Sequence, residues 1–123
     1  AELAAGRAGI LDGVQLYHMV LEGAVFSAGQ RALLDDLADD ALPGIRAGVA
    51  HVENDERWHV GFGVRCLIEA QVTDPLVDDL LASATAAAAA WGDVVPTATR
   101  EEAVTQCRRR LAVAGLVEAQ PAA

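Results

Sequence analysis

The sequence contains few of the residues that favour β-sheets. Aromatic residues make up 4% of the 123-residue chain, whereas hydrophobic residues make up 53%. Alanine and leucine supply most of the hydrophobic residues and favour helices, while β-branched and aromatic runs are short. This balance predicts an all-α protein, and the length is that of a single domain.

Cysteine and long apolar runs are scarce as well. The spacing of Cys66 and Cys107 suggests neither a zinc knuckle nor a disulfide framework, so reduced thiols are expected. The opening residues lack a basic start followed by an apolar block, which predicts a cytoplasmic protein. The longest apolar run, 86–91, is far shorter than the roughly 20 residues of a membrane span, so no membrane association is expected.

Positive charge is in deficit, with a formal net charge of -9 and a sequence pI of about 4.5. Such a chain repels polyphosphate, which argues against nucleic acid as a partner. The arginine cluster 108–110 is too short to reverse this. It is better placed to complement the dipole at the end of a helix.

Proline, glycine and apolar spacing divide the chain into two long helices and two shorter ones. Pro43 suits the first turn of the second helix, and Thr99 with Glu102 forms a capping box for the fourth. Gly61 and Gly63, inside the second helix, predict close approach of another helix or a bound group. The predicted helices cover 2–30, 43–71, 74–92 and 99–115. Between and after them we expect an acidic connector at 31–41, either irregular or with a short helical turn of its own, a loop at 93–98 and a frayed tail at 117–123.

The most informative short motif is Glu56 followed three residues later by His59. Residues three apart share a helix face, so the carboxylate and the imidazole can converge on one metal ion. In ferritin-like di-metal bundles, two helices each supply Glu-x-x-His and two others each supply one Glu. Alone, the motif is also frequent on exposed helices that bind no metal.

Glu22 is the candidate for the single glutamate. It lies in an apolar stretch, and Met19 and Phe26 fall on the same helical stripe. Burying an unpaired carboxylate is costly, and metal coordination is one arrangement that offsets this cost. The alternative is that Glu22 points to solvent.

Three stretches together resemble a known family. They are 17–23 (YHMVLEG), 42–44 (LPG) and 55–63 (DERWHVGFG). They resemble the second half of the ribonucleotide-reductase-like ligand-binding oxidases, which are relatives of the ribonucleotide reductase small subunit. The resemblance extends over roughly 17–67. It implies a ferritin-like helical bundle in which Glu22, Glu56 and His59 are metal ligands.

Three more residues gain roles from this resemblance. It implies that Tyr17 is the redox-active tyrosine, which these oxidases cross-link to a valine on another helix. It also implies that Phe26 is an aromatic beside the metal centre and that Asp55 is a carboxylate that orients a histidine ligand. Without the resemblance, Tyr17 and Phe26 are equally readable as ordinary core and Asp55 as a surface charge.

The chain departs from the family because it lacks the earlier helix pair with a second Glu and a second Glu-x-x-His. Glu53 cannot replace them because it lies on the same helix as Glu56, and neither His18 nor His51 has a glutamate three residues before it. Three protein ligands are too few for a di-metal centre. A homodimer, a heterodimer with a partner subunit, or a longer parent chain would complete the set.

The leading functional expectation is a di-iron or manganese/iron oxidoreductase that activates O₂, since carboxylate and imidazole ligands suit both metals. By the resemblance, its substrate would be a hydrophobic small molecule lodged between helices. The first alternative is a ferritin-type protein that oxidises and stores iron. The second is a non-enzymatic helical scaffold with an incomplete site.

Overall fold

The computed structural model describes residues 9–37 and 42–118, and within these ranges all regular structure is helical. This confirms the prediction of an all-α fold. The first helix is continuous but changes its winding twice. Its parts are α1 (Ile10–Val14), a π-helical segment (Gln15–Phe26) and α2 (Ser27–Asp36). The remaining elements are α3 (Pro43–Glu69), α4 (Asp74–Ala89), a 3₁₀ helix (Gly92–Val94) and α5 (Thr97–Val113).

Several helix ends follow from local sequence. Pro43 and Pro75 lie in the first turns of α3 and α4, where a missing N–H costs nothing. Gly115 has a φ of +73° just after α5, and the Leu116 N–H donates to the Leu111 carbonyl at 2.9 Å. A glycine in this left-handed conformation is the usual way to end a helix, because it has no Cβ to clash.

Four predicted boundaries differ in part from those of the structure. The first helix continues through Asp36, so the start of the expected 31–41 connector is helical, while 38–41 lies outside the described residues. The expected 93–98 loop contains the end of the 3₁₀ helix and the start of α5. The capping box of Thr99 and Glu102 does not form, because α5 begins at Thr97 after Pro96 and has no side-chain cap. Val117 packs against the core instead of fraying, and 119–123 is not described.

The π-helical segment is the centre of the fold, since it contacts α3, α4 and α5. A closed apolar core forms where these four helices meet, and burial of such side chains supplies the main stabilisation of the fold. The core consists of Met19, Val60, Leu67, Val77, Leu80, Leu81, Cys107 and Leu111.

Trp91 joins the end of α4 to the first helix. Its indole Nε1–H donates to the Val25 carbonyl at 2.9 Å. The ring lies so close to Gly29 that a Cβ there would be 2.6 Å from it. Glycine at this position therefore permits the contact.

One side of the bundle is open. Of the 27 residues of α3, all of them described, only Val60, Gly63 and Leu67 are buried. Between α2 and α3 lies a cavity of about 590 Å³, which we call the open groove. Its main lining side chains are Phe26, Leu33, Ile45, Val49, Val52 and Trp91. Within 9–37 and 42–118, no helix is long and apolar enough to cross a membrane.

Candidate metal centre

Glu22 in the π-helical segment and Glu56 and His59 in α3 converge on one point. His59 Nδ1 is 3.1 Å from Glu22 Oε1 and 3.3 Å from Glu56 Oε2. One ligand atom from each of the three lies within 4.8 Å of the others. Two ligands at right angles, each about 2.1 Å from an ion, are about 3 Å apart, so these spacings suit neighbouring ligands of one cation.

Burial falls steeply across the three side chains, from 2% exposed for Glu22 through 15% for Glu56 to 53% for His59. In the part of the chain that the structure describes, Glu22 is the one charged side chain that is buried. The alternative in which it points to solvent is therefore wrong. The cluster has a closed inner end at Glu22 and an open outer edge at His59.

His18 contacts the second carboxylate oxygen of Glu22. Its Nδ1 is 2.6 Å from Glu22 Oε2, and its side chain is 20% exposed. The Glu-x-x-His pattern does not include His18, because no glutamate precedes it by three residues. The sequence does place His18 four residues before Glu22, and residues four apart on a helix also share a face. This spacing could have predicted the contact.

The backbone around Glu22 allows the first helix and α3 to approach closely. A Cβ on Gly63 would lie 2.7 Å from His18 Cβ and 2.9 Å from Met19 Sδ. The close approach predicted at Gly63 is thus confirmed. At Gly61 no other described helix comes close, since an added Cβ would meet nothing within 4 Å beyond its own helix backbone, and approach of a bound group there stays a prediction.

The winding of the segment that contains Glu22 is itself unusual. π-Helical stretches, with i→i+5 hydrogen bonds, are rare and occur frequently at functional sites. The Ser27 hydroxyl donates to the Glu22 carbonyl at 2.8 Å, where this winding returns to an α-helix.

The two carboxylates raise the pKa of His59 above its ordinary value of 6.5. The negative charge of Glu22 is the main cause, Glu56 adds to it, and partial desolvation opposes it. These interactions favour the protonated form of His59. A bound cation would replace this proton, since a histidine ligand must be deprotonated at the ligating nitrogen.

The other predicted site residues are less closely connected to the cluster. Tyr17 is half-exposed and meets the His18 ring edge-on, with centroids 5.1 Å apart. Phe26 lines the open groove. Asp55 is exposed and, within the described residues, makes no hydrogen bond to His59. The roles of these residues stay predictions.

Two carboxylates and one imidazole form a hard, oxygen-rich donor set of the kind that iron and manganese accept. Comparisons with protein-family models, curated proteins and solved structures find no match. The function of this chain therefore has to be inferred from its own residues.

Proposed function

We propose that this chain contributes half of a di-metal carboxylate centre, either Fe/Fe or Mn/Fe, in an O₂-activating oxidase with a ferritin-like bundle. The observation that carries the proposal is the convergence of buried Glu22 with Glu56 and His59 of another helix. Burial of a carboxylate between histidines is costly unless its charge is matched, and a divalent cation matches it. When bound, the ions supply the redox chemistry with O₂.

Each side chain then has a distinct task. Glu22 is the buried ligand at the inner end of the site, away from water, and Glu56 and His59 both extend from α3. Tyr17, the one tyrosine of the sequence, is half-exposed beside His18 and is the proposed redox-active side chain.

The ligand count and the open side of the bundle both support the proposal that this chain supplies only half of the centre. Two such chains would bring four carboxylates and two histidines, which is the full set of a di-metal bundle. In α3, the groove-lining residues Ile45, Val49 and Val52 continue at helical spacing into Glu56 and His59. A second helix pair that covers this stripe would therefore also reach the metal ligands.

The completing helices can come from a second copy, from another subunit or from further sequence of a longer chain. Two-fold pairing is the commonest oligomer symmetry and would place the site on the axis between subunits. The open groove has the size and apolar lining of a small-molecule pocket. A hydrophobic substrate would thus lie between the groove and the completing helices.

Metal content measured together with solution mass tests the proposal. The wild-type chain, purified from cells supplied with iron and manganese, is expected to form a complex larger than one chain and to hold about one ion per chain. Glu56→Ala should lose most of this metal. The control is His51→Ala, because His51 is an exposed α3 histidine outside the cluster and its loss should change nothing.

Each contrary outcome has a definite meaning. Equal metal in the wild type and Glu56→Ala would show that the proposed ligands are wrong. Retention of metal by a strict monomer would contradict a shared site. A large multi-subunit shell would favour iron storage, and metal-free wild-type protein would favour a scaffold.

A further inference from the structure

We infer that His18 is a positioning residue of the proposed metal centre, which holds Glu22 by one oxygen and leaves the other oxygen for the ion. The inference rests on the proposed function and deepens it. The two oxygens of Glu22 have different partners, since Oε2 faces His18 and Oε1 faces His59.

Membership of the cluster separates a positioning role from a ligating one. The ligand atoms of Glu22, Glu56 and His59 all lie within 4.8 Å of one another, and His18 is not part of this group. Its Nδ1 lies 2.6 Å from Glu22 Oε2, within hydrogen-bonding distance. A carboxylate that binds a metal is ionised and only accepts, so in the metal-bound protein the His18 Nδ1–H donates to Oε2.

Packing holds the His18 ring in the orientation that this bond requires. Tyr17 and Phe62 meet the ring edge-on, with centroid separations of 5.1 Å and 5.2 Å. Behind the ring, the backbone of α3 passes so closely that only glycine fits at position 63. The donor is therefore fixed from three directions before any ion arrives.

A fixed donor has a direct consequence for the carboxylate. With Oε2 occupied, Glu22 presents a single oxygen, Oε1, toward Glu56 and His59. Without the donor, the carboxylate can rotate or use both oxygens. Loss of such an outer partner typically lowers metal affinity by about 10–100-fold.

Substitutions that separate the hydrogen bond from the ring test this inference. His18→Asn keeps a donor near the position of Nδ1 but loses the ring, whereas His18→Phe keeps a ring and loses the donor. Titration of the assembled protein with Co²⁺ alone should show binding weakened by about 10–100-fold in His18→Phe. The visible Co²⁺ spectrum should also change, because the coordination of Glu22 changes. His18→Asn should bind more tightly than His18→Phe, and the control His51→Phe should match the wild type.

The inference is overturned if the Co²⁺ affinities of the two His18 variants follow the opposite order. If His18→Phe binds Co²⁺ with wild-type affinity and spectrum, or more tightly than His18→Asn, the ring matters and the donor does not. Should His18→Phe fail to fold, the pair His18→Asn and His18→Leu gives the same comparison, since the two side chains are similar in size and differ in the donor. Equal binding by that pair would also overturn it.

Failure of the inference can be told apart from failure of the proposed function. If Glu22→Ala and Glu56→Ala lose Co²⁺ while the His18 variants do not, only the positioning role is wrong. If Co²⁺ binding is unaffected in Glu22→Ala and Glu56→Ala as well, the proposed ligands are wrong and the inference falls with them.

Discussion

The two sides of the helix bundle differ in how completely their apolar side chains are buried. On the closed side, Met19, Cys107 and Leu111 are fully shielded in a core shared by four helices. On the open side, Ile45 and Val52 of α3 remain exposed although they line an apolar groove. The three candidate ligands lie at the boundary, with Glu22 inside and His59 at the edge.

This difference separates a surface with a structural role from one whose apolar side chains remain exposed. Contiguous exposed apolar surface marks interaction sites or ligand grooves far more often than isolated exposed residues do. Val49 and Val52, which line the groove, share a face of α3 with Glu56 and His59. Under the proposed function, one pair of helices would both cover the groove and complete the set of metal ligands.

The largest difference between the two sides is expected in folding stability. Leu67→Ala on the closed side should lower the free energy of unfolding by about 2–5 kcal/mol, because it opens a cavity in the core. Leu33→Ala in the half-exposed groove should cost less than about 1 kcal/mol in the unassembled chain. Urea unfolding measures both, and similar losses would show that the groove is already structural.

A pair of glycines in α3 gives the next largest contrast. Gly63→Ala places a methyl group against His18 and Met19 and should destabilise the protein by about 1–3 kcal/mol. Gly61→Ala meets no described atom and should stabilise α3 by up to about 1 kcal/mol. Thermal unfolding measures whether each substitution stabilises or destabilises the protein. If both change the stability in the same direction, the close approach at Gly63 is contradicted.

Assembly should be sensitive to charge in the groove. Val52→Asp is expected to weaken association by about tenfold or more, equivalent to about 1.4 kcal/mol, while leaving the helix content unchanged. Val113→Asp is the matched control, since Val113 is exposed on α5 and does not line the groove. Sedimentation equilibrium gives the comparison, and equal masses for both variants would remove the groove from the interface.

The smallest expected effect is a pH dependence of folding stability caused by one of the two cysteines. Burial raises the pKa of Cys107 to about 11 from 9.0, despite an opposing contribution from Arg110. A folded pKa above the unfolded one means that stability is full below pH 9 and falls as pH rises toward 11. By pH 10 the wild type should lose about 1 kcal/mol relative to Cys107→Ala.

Thiol labelling provides a second measurement of this contrast. Half-buried Cys66 should react with a disulfide reagent well before Cys107, which should react only on unfolding. Equal rates, or identical pH profiles for the wild type and Cys107→Ala, would mean that the closed core opens readily.

Much of the fold could be predicted because its signals are local. Pro43 and Pro75 mark helix starts, and the composition excludes sheets. The stripe around Glu22 correctly predicted burial of Glu22 and Met19, whereas Phe26 on the same stripe is partly exposed and lines the open groove.

What could not be predicted depends on contacts between distant segments. The π-helical winding of 15–26 has no local sequence signature and accompanies close packing against α3, α4 and α5. Asp35 and Asp36 suggested a connector, yet α2 continues through Asp36, and Ala32 and Leu34 in the preceding turn are buried. The contact between His18 and Glu22 was not predicted, because the glutamate follows the histidine by four residues and does not match the Glu-x-x-His pattern.

Trp91 has a further consequence for experiment. Its indole lines the open groove and is hydrogen-bonded to the Val25 carbonyl, three residues from Glu22 along the segment. Its fluorescence should therefore change in wavelength or intensity when a helix or an apolar molecule fills the groove. The other tryptophan, Trp58, is largely exposed and can be replaced by phenylalanine to remove its emission. The bundle thus contains an intrinsic optical reporter of what covers its open side.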